Sequence, residues 1–159
     1  MGNKISLDIH LASLHVGGNT DLVKQADGTP GYNENNLGLG LQYALSDSFS
    51  AVGGFYHNSF GETSLYTGLA FAKPATDKLK LGVMGGVADY KDQLKDSEIG
   101  NTGLTPIAQL TAQFSLTDQM SITLGLIPGE ILEKATGTIP DDPAQASPNV
   151  FTSSVNIEF

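Results

Sequence analysis

The chain has 159 residues and a formal net charge of −9, and all eight of its basic residues are lysines. Such an acidic chain lacks the basic patch that binding to the phosphate backbone of nucleic acids requires. Cysteine is absent, which excludes disulfides, thiol nucleophiles and thiolate metal ligands. The length predicts one domain that covers residues 1–159.

The sequence contains no run of about 18 apolar residues, so it excludes a transmembrane helix. A β-strand needs only about 9–11 tilted residues to cross a bilayer. Segments of about that length, with alternating apolar and small or polar residues, recur along the chain. The first covers residues 4–16, where the apolar residues from Ile5 to Leu11 alternate with Ser6, Asp8, His10 and Ala12.

The second segment, residues 36–45, has the clearest alternation. One parity carries Leu37, Leu39, Leu41, Tyr43 and Leu45, and the other carries Gly38, Gly40, Gln42 and Ala44. Successive side chains of a strand point to opposite faces. A half-buried soluble strand would carry lysine, glutamate or threonine on its second face, whereas this one carries glycine, alanine and an amide. The pattern is typical of a strand with bulky residues toward lipid and small residues inside a narrow barrel.

Six further strands follow, at residues 49–59, 64–71, 79–90, 104–116, 120–127 and 149–159. The connections after the second, fourth and sixth strands are short, those after the first, fifth and seventh are long and polar, and the one after the third is short. This alternation predicts an all-β fold, an eight-stranded antiparallel up-and-down barrel of the membrane type with both termini on the short-turn side. One helical turn is predicted within the last long connection, near residues 130–134.

A soluble lipocalin-like barrel would also have eight strands, but its bulky face would point inward and its outer face would be charged. Charged residues are few in the predicted strands: Asp8, Lys80, Asp89 and Glu158. The membrane barrel is therefore the preferred interpretation. The soluble alternative is favoured by Met1–Lys4, which leads into a predicted strand without a charged and then apolar export signal.

No cofactor or metal site is predicted. His10, His15 and His57 lack the i,i+4 spacing of a helical zinc site and belong to predicted strands. Gly38-Leu39-Gly40 is not followed by a helix start, as a phosphate-binding loop would be. Glycines that allow close packing inside a small barrel explain it instead.

The loop-side end of the barrel is the candidate site for chemistry. The first and third strands both rise toward it, which places His15 and the segment His57-Asn58-Ser59 at one mouth. A histidine beside the Ser59 hydroxyl can act as a general base, so that the oxygen attacks an ester carbonyl. Asn58 can orient the imidazole or donate a hydrogen bond to an oxyanion. His10 lies lower on the interior parity. Solvated rim side chains are the alternative explanation.

Several segments resemble the lipid A palmitoyltransferase family (PagP), an eight-stranded outer-membrane barrel. They are Tyr32-Asn33-Glu34, the segment Phe55–Ser59, Pro106, the segment Leu126–Gly129 and the last strand, which ends in Phe159. Each motif is short, but the resemblance spans most of the chain.

The resemblance implies an enzyme that transfers a palmitoyl chain from a phospholipid to lipid A in a bacterial-type outer membrane. By position, Ser59 matches the family's serine and His15 its histidine, with His10 as the alternative. Asn58 replaces the family's aspartate, and the helix that precedes the family's barrel is missing, so activity is left open. Pro106 and Pro128 match prolines that admit lipid laterally, and Ala70 falls near the floor of the acyl pocket.

The implied partners are the outer-membrane lipids, phospholipid and lipid A, and the barrel assembly machinery, which would read the terminal Phe159. The protein is expected to be a monomer. Hydrolysis of an acyl chain is the related activity. A surface barrel without enzymatic activity that displays its loops, and a soluble lipid-binding barrel, are the alternative functions.

Overall fold

A computed structural model describes residues 4–17, 23–90, 103–129 and 147–159. Eight strands form one closed antiparallel barrel in which each strand pairs with the next and β1 pairs with β8. The strands are β1 (Ile5–Val16), β2 (Gly38–Ala44), β3 (Phe49–His57), β4 (Thr63–Pro74), β5 (Leu79–Asp89), β6 (Leu104–Ser115), β7 (Met120–Ile127) and β8 (Asn149–Glu158). The predicted fold class is confirmed.

The two ends of the chain meet at one rim of the barrel. Lys4 forms an ion pair with Glu158, and the Phe159 amide donates to the Ile5 carbonyl at 2.9 Å. The short connections 45–48, 75–78 and 116–119 lie at this same rim. We call it the short-turn rim, and the opposite rim, where β1, β3, β5 and β7 end, the loop-side mouth. The predicted position of the termini is confirmed.

The three short turns share one local structure. In each, a hydroxyl oxygen accepts hydrogen bonds from the amides two and three residues later, over 3.0–3.4 Å. The hydroxyls belong to Ser46, Thr76 and Thr117, and each is followed by an aspartate. Hydroxyl side chains that bond to nearby backbone favour turns over continued strand. The turns therefore fix the register of three hairpins from local sequence.

Large apolar side chains cover the outside of the barrel. Leu37 and Leu65 are each 62% exposed, and Leu41 is 59% exposed. The buried side chains are instead mostly polar: Asp8, Ser13, Asn36, Asn58, Ser64, Thr105 and Asn156. This arrangement is the reverse of a soluble barrel and is typical of a barrel that faces lipid. The described residues include no helix long and apolar enough to cross a membrane.

The strand β1 contains a bulge, so its side chains do not alternate as the sequence predicts. The register with β8 shifts between His10 and Ala12, so that Leu11 and Ala12 are both exposed. One extra residue reverses which parity points inward. As a result Ser13 is buried, whereas Leu14 is 52% exposed on the lipid side. His15 shares the parity of Ser13, and it therefore points into the barrel.

Other strand ends differ from prediction by a few residues. β3 ends at His57, so Asn58 and Ser59 lie in the connection to β4. β4 continues to Pro74, which shortens the predicted turn that was expected from Lys73 onward. The helical turn predicted near residues 130–134 lies outside the described residues.

Glycines allow β4 and β5 to approach closely inside the barrel. Gly68 and Gly86 face each other across the ladder. A Cβ added at Gly86 would overlap the Thr67 carbonyl oxygen and would lie 2.7 Å from the Cα of Gly68. The adjacent Gly85 points outward, and a Cβ there would meet nothing within 4 Å.

We therefore expect Gly86→Val to destabilise the folded barrel by about 1–3 kcal/mol or more, because the strands must separate to admit the side chain. Gly85→Val should be neutral or slightly stabilising, because valine suits an exposed strand position. Urea titrations of refolded protein in vesicles, read by heat-modifiable gel migration, measure both. Equal midpoints for the two variants would contradict the close approach.

Candidate functional site

A cavity of about 310 Å³ occupies the lumen, and residues from both rims line it. Its volume is at the lower end of the range of small-molecule sites, roughly 300–1,000 Å³. Two groups of side chains, which we call the apolar wall and the polar wall, line it. The apolar wall consists of Val52, Ala70, Met84 and Ile107, and the polar wall consists of Asp8, Gln109, Thr123, Thr152 and Asn156.

The apolar wall is carried by β3, β4, β5 and β6. Ala70, Met84 and Ile107 pack against a core of Val52, Tyr66 and Ala88. These positions share the inward parity of their strands, opposite the lipid-facing leucines. The wall therefore offers a dry surface within the barrel that is separate from its lipid-facing exterior.

Hydrogen bonds between side chains of different strands hold the polar wall. Thr123 donates to Asn156 Oδ1 at 2.6 Å, and Gln109 donates to the Thr152 hydroxyl. Such bonds satisfy polar groups that would otherwise be costly to bury.

An aromatic cluster, His10, Tyr56 and Tyr66, lies between the two walls. The ring centroids are 5.4–5.9 Å apart and the rings are tilted by 56–77°. His10 Nε2 and the Tyr66 hydroxyl are hydrogen-bonded at 2.8 Å. The Tyr56 hydroxyl makes a 2.7 Å hydrogen bond with that of Tyr90.

At the loop-side mouth the first connection folds back onto the third. The Ala26 amide donates to the Phe60 carbonyl at 2.8 Å, and the Asn33 amide donates to the Ser59 carbonyl at 2.7 Å. Tyr32 stacks on His15 with centroids 4.1 Å apart and meets Phe60 edge-on. Burial in this stack raises the pKa of Tyr32.

The side chain of Asn58 is fully buried and fully engaged in the turn that follows β3. Its Nδ2 donates to the Ser64 hydroxyl at 2.9 Å. Its Oδ1 accepts from the amides of Phe60 and Glu62 at 2.9 and 3.0 Å. These contacts give Asn58 a structural role that sequence reasoning missed, namely shaping the segment that carries Ser59.

The structure brings His15 and Ser59 to the same cavity. His15 Nδ1 is buried and has no hydrogen-bond partner among the described residues. His10, the alternative histidine, lines the same cavity but lies on the other side of the β1 bulge, in the aromatic cluster. His57 is exposed at the end of β3 and does not line the cavity.

Pro106 and Pro128 lie beyond the end of the described ladder between β6 and β7. The described β6–β7 ladder ends at Leu110 and Leu126, although β6 continues to Leu104. Beyond Pro128 the chain turns toward β8, where the Gly129 amide donates to Asn149 Oδ1 at 3.1 Å. The loop-side half of β6 therefore pairs in its described ladders only with β5.

Sequence reasoning also missed a group of buried polar atoms without partners. Within the described residues, these are Asp8 Oδ1, Ser13 Oγ, His15 Nδ1, Asn36 Oδ1 and Thr105 Oγ1. The alternation of the strands could have predicted that Asp8, Tyr56 and Tyr66 point into the lumen. The bulge, which turns Ser13 and His15 inward, leaves no comparable signal in the sequence.

No group of three or more histidine, cysteine, aspartate or glutamate side chains comes together among the residues that the structure describes.

Neither a protein-family model nor a curated protein matches the sequence. Solved structures match the fold. A de novo designed transmembrane β-barrel aligns with 12% identity and a TM-score of 0.57, over 99% of this chain and 96% of that one. The N-terminal β-barrel domain of Pseudomonas aeruginosa OprF aligns with 11% identity and a TM-score of 0.54, over 99% and 98%. E. coli Outer Membrane Protein W aligns with 14% identity and a TM-score of 0.48, over 99% and 98%.

The chain thus has the same fold as a designed transmembrane β-barrel and the OprF barrel domain. The membrane-type barrel fold of the sequence analysis is confirmed. At this level of identity the likeness concerns the fold.

We expect Asn58→Ala to lower the free energy of unfolding by about 1–3 kcal/mol, because the Phe60 and Glu62 amides and the Ser64 hydroxyl lose their partner. Ser59→Ala, one residue away, should change stability by no more than about 0.5 kcal/mol. Urea unfolding of both variants in the same detergent measures the difference. Equal stability of the two would show that the Asn58 contacts are not needed for the turn.

Proposed function

We propose that this protein is an integral barrel of the bacterial-type outer membrane that binds a lipid acyl chain in its lumen. The observation that carries the proposal is the apolar wall inside a barrel that already has an apolar exterior. A barrel that only anchors loops needs the outer apolar surface alone. An inner apolar surface beside a cavity is suited to a hydrocarbon chain, and each buried methylene contributes about 0.8 kcal/mol.

The end of the described β6–β7 ladder at Leu110 and Leu126 supports a lateral route for the chain. A lipid in the surrounding leaflet would pass between Pro106 and Pro128, where the described ladder has ended. Proline lacks an amide hydrogen, so Pro106 leaves one ladder position without a donor. Ile107, the next residue on β6, points to the cavity and would meet the entering chain first.

The resemblance to the lipid A palmitoyltransferase family supports the same class of ligand. Phospholipid and lipid A are the proposed lipid partners. A monomer is sufficient for the proposed function, because a single chain closes the barrel around the lumen. Phe159, which is 76% exposed at the end of β8, is the proposed contact for the barrel assembly machinery.

We expect Ala70→Leu to shorten the acyl chain that the lumen accepts, because Ala70 lines the cavity toward the short-turn rim. Native mass spectrometry of refolded barrel, offered phosphatidylethanolamines with chains of 12, 14 and 16 carbons, measures the preference. The preferred length should fall by at least one step of this series.

Ala51→Leu is the matched control, because Ala51 lies at the same height, opposite Leu69 in the ladder and on its outward parity. The control should retain the preference of the unmodified protein. Absence of any retained lipid, or the same preference in both variants, would refute acyl binding in the lumen.

The second candidate function is transfer or hydrolysis of that acyl chain. It is favoured by the meeting of His15 and Ser59 at one cavity. The imidazole would accept the proton of the Ser59 hydroxyl as its oxygen attacks the ester carbonyl, and would return it to the departing lysophospholipid oxygen. The acyl group on Ser59 would then pass to a lipid A hydroxyl or to water. Asn58 would serve as a positioning residue, because its hydrogen bonds hold the turn beside Ser59.

We expect refolded protein, supplied with phospholipid and lipid A, to release lysophospholipid, and Ser59→Ala to lower the rate at least 100-fold. Mass spectrometry of both lipids identifies the product and tells transfer from hydrolysis. Ser48→Ala, at the opposite rim, is the matched control and should keep full activity. Lipid retention without turnover would leave the binding function standing and refute the enzymatic one.

A further inference from the structure

A buried carboxylate lies in the lumen away from the loop-side mouth. Asp8 is 8% exposed, and its Oδ1 has no hydrogen-bond partner among the described residues. Its neighbours across the two ladders of β1 are Gly40 and Asn156. A buried carboxylate without a partner is costly, and it favours either a proton or a bound cation.

The lysines near this end of the barrel do not neutralise Asp8. Lys4 is ion-paired with Glu158 at the short-turn rim, and Lys80 is exposed. No ion pair of Asp8 occurs within the part of the chain that the structure describes. The negative charge is therefore available to a ligand in the cavity that Asp8 lines.

The aromatic cluster lies next to this carboxylate. A Cβ added at Gly40 would overlap the Tyr66 hydroxyl and would lie 3.4 Å from the Cβ of Asp8. The missing side chain of Gly40 thus lets the end of Tyr66 reach the neighbourhood of Asp8. Because Tyr66 is hydrogen-bonded to His10, its hydroxyl is held and its ring orientation is fixed.

The three rings of the cluster meet at steep angles rather than in a stack. His10 and Tyr66 are inclined at 77°, and Tyr56 is inclined at 56° to His10 and at 57° to Tyr66. All three rings line the same cavity as Asp8. The faces of aromatic rings attract cations whose centre lies within about 6 Å of the ring centroid.

We propose that the lumen binds a small organic ammonium ion between the Asp8 carboxylate and the aromatic cluster of His10, Tyr56 and Tyr66. The carboxylate supplies the opposite charge and the rings supply the faces that methylated ammonium groups prefer. Asn156, directly opposite Asp8 on β8, adds an amide to the same end of the site. This site lies in the same cavity as the lipid acyl binding proposed above, but the proposal does not depend on that function.

The composition of the site argues against other ligands. An anion would meet a carboxylate and no guanidinium, since the chain has no arginine. A divalent metal would find one carboxylate, and the described residues hold no cluster of three metal-binding side chains. A methylated ammonium ion needs neither, because its charge is spread over apolar groups.

The test is a titration of the full refolded chain with tetramethylammonium chloride, with sodium chloride used to keep the ionic strength constant. A maltoside detergent is required, since phosphocholine detergents carry the same ammonium group as the probe. The chain has five tyrosines and no tryptophan, and two of the five, Tyr56 and Tyr66, lie in the cluster, so tyrosine fluorescence can follow binding there. We expect a saturable change that potassium chloride and the neutral isostere neopentyl alcohol do not produce.

Asp8→Asn, which keeps the side-chain volume, should weaken binding at least tenfold. Asp47→Asn, on an exposed turn, is the matched control and should bind as the unmodified protein does. Tyr66→Phe keeps the ring and should stay within about threefold, whereas Tyr66→Leu should weaken binding at least fivefold. Should Tyr66→Leu fail to refold, the Asp8→Asn and Tyr66→Phe variants decide the question.

Three results would overturn the proposal: no saturable change in the unmodified protein, equal affinity in Asp8→Asn, or equal displacement by potassium or neopentyl alcohol. Equal affinity in Asp8→Asn would show that the rings bind the probe without the carboxylate. Equal displacement by potassium would replace the organic cation with an inorganic one.

Discussion

The structure depends on one requirement of a bilayer, that every backbone amide and carbonyl in the hydrocarbon region has a partner within the protein. A sheet meets this requirement only when it closes, and here the ladder between β1 and β8 closes it. Closure then sets the side chains, because each strand has one face toward lipid and one toward the lumen. With eight strands the lumen is narrow. Glycine must therefore occupy inward positions such as Gly68 and Gly86, where neighbouring backbones leave no room for a side chain.

The alternation that follows from closure is the pattern from which the sequence predicts the fold. The second strand alternates large apolar residues with glycine and an amide, as at Leu37, Leu39 and Leu41. This alternation predicts a lipid-facing side and a crowded lumen, and the structure has both. The hydroxyls that begin the short turns are also local signals, so the hairpins were placed within a few residues. Strand ends were less certain, since pairing continues wherever a partner is available. β4 thus runs on to Pro74 because β5 pairs with it there.

The site was harder to predict because it depends on departures from alternation. The bulge after His10 turns Ser13 and His15 inward, and it arises from the register between β1 and β8, two strands from opposite ends of the chain. No local pattern encodes that register shift. Asn58 was read as a group for chemistry from its position beside Ser59. Its three hydrogen bonds come from a turn whose geometry only the folded chain reveals.

The lumen has one apolar and one polar wall because the inward positions of the closed barrel carry both apolar and polar side chains. The inward positions of β3, β5 and β6 include Val52, Met84 and Ile107, which need no partners. Polar inward groups, several of them on β1, β7 and β8, must find hydrogen bonds across the strands, as Thr123 and Asn156 do. Asp8 stands in this wall without such a bond at its Oδ1. In a low-dielectric interior an unmatched carboxylate is costly to stability. Asp8 lies beside a cavity and three aromatic rings. A bound ligand explains this position better than packing does.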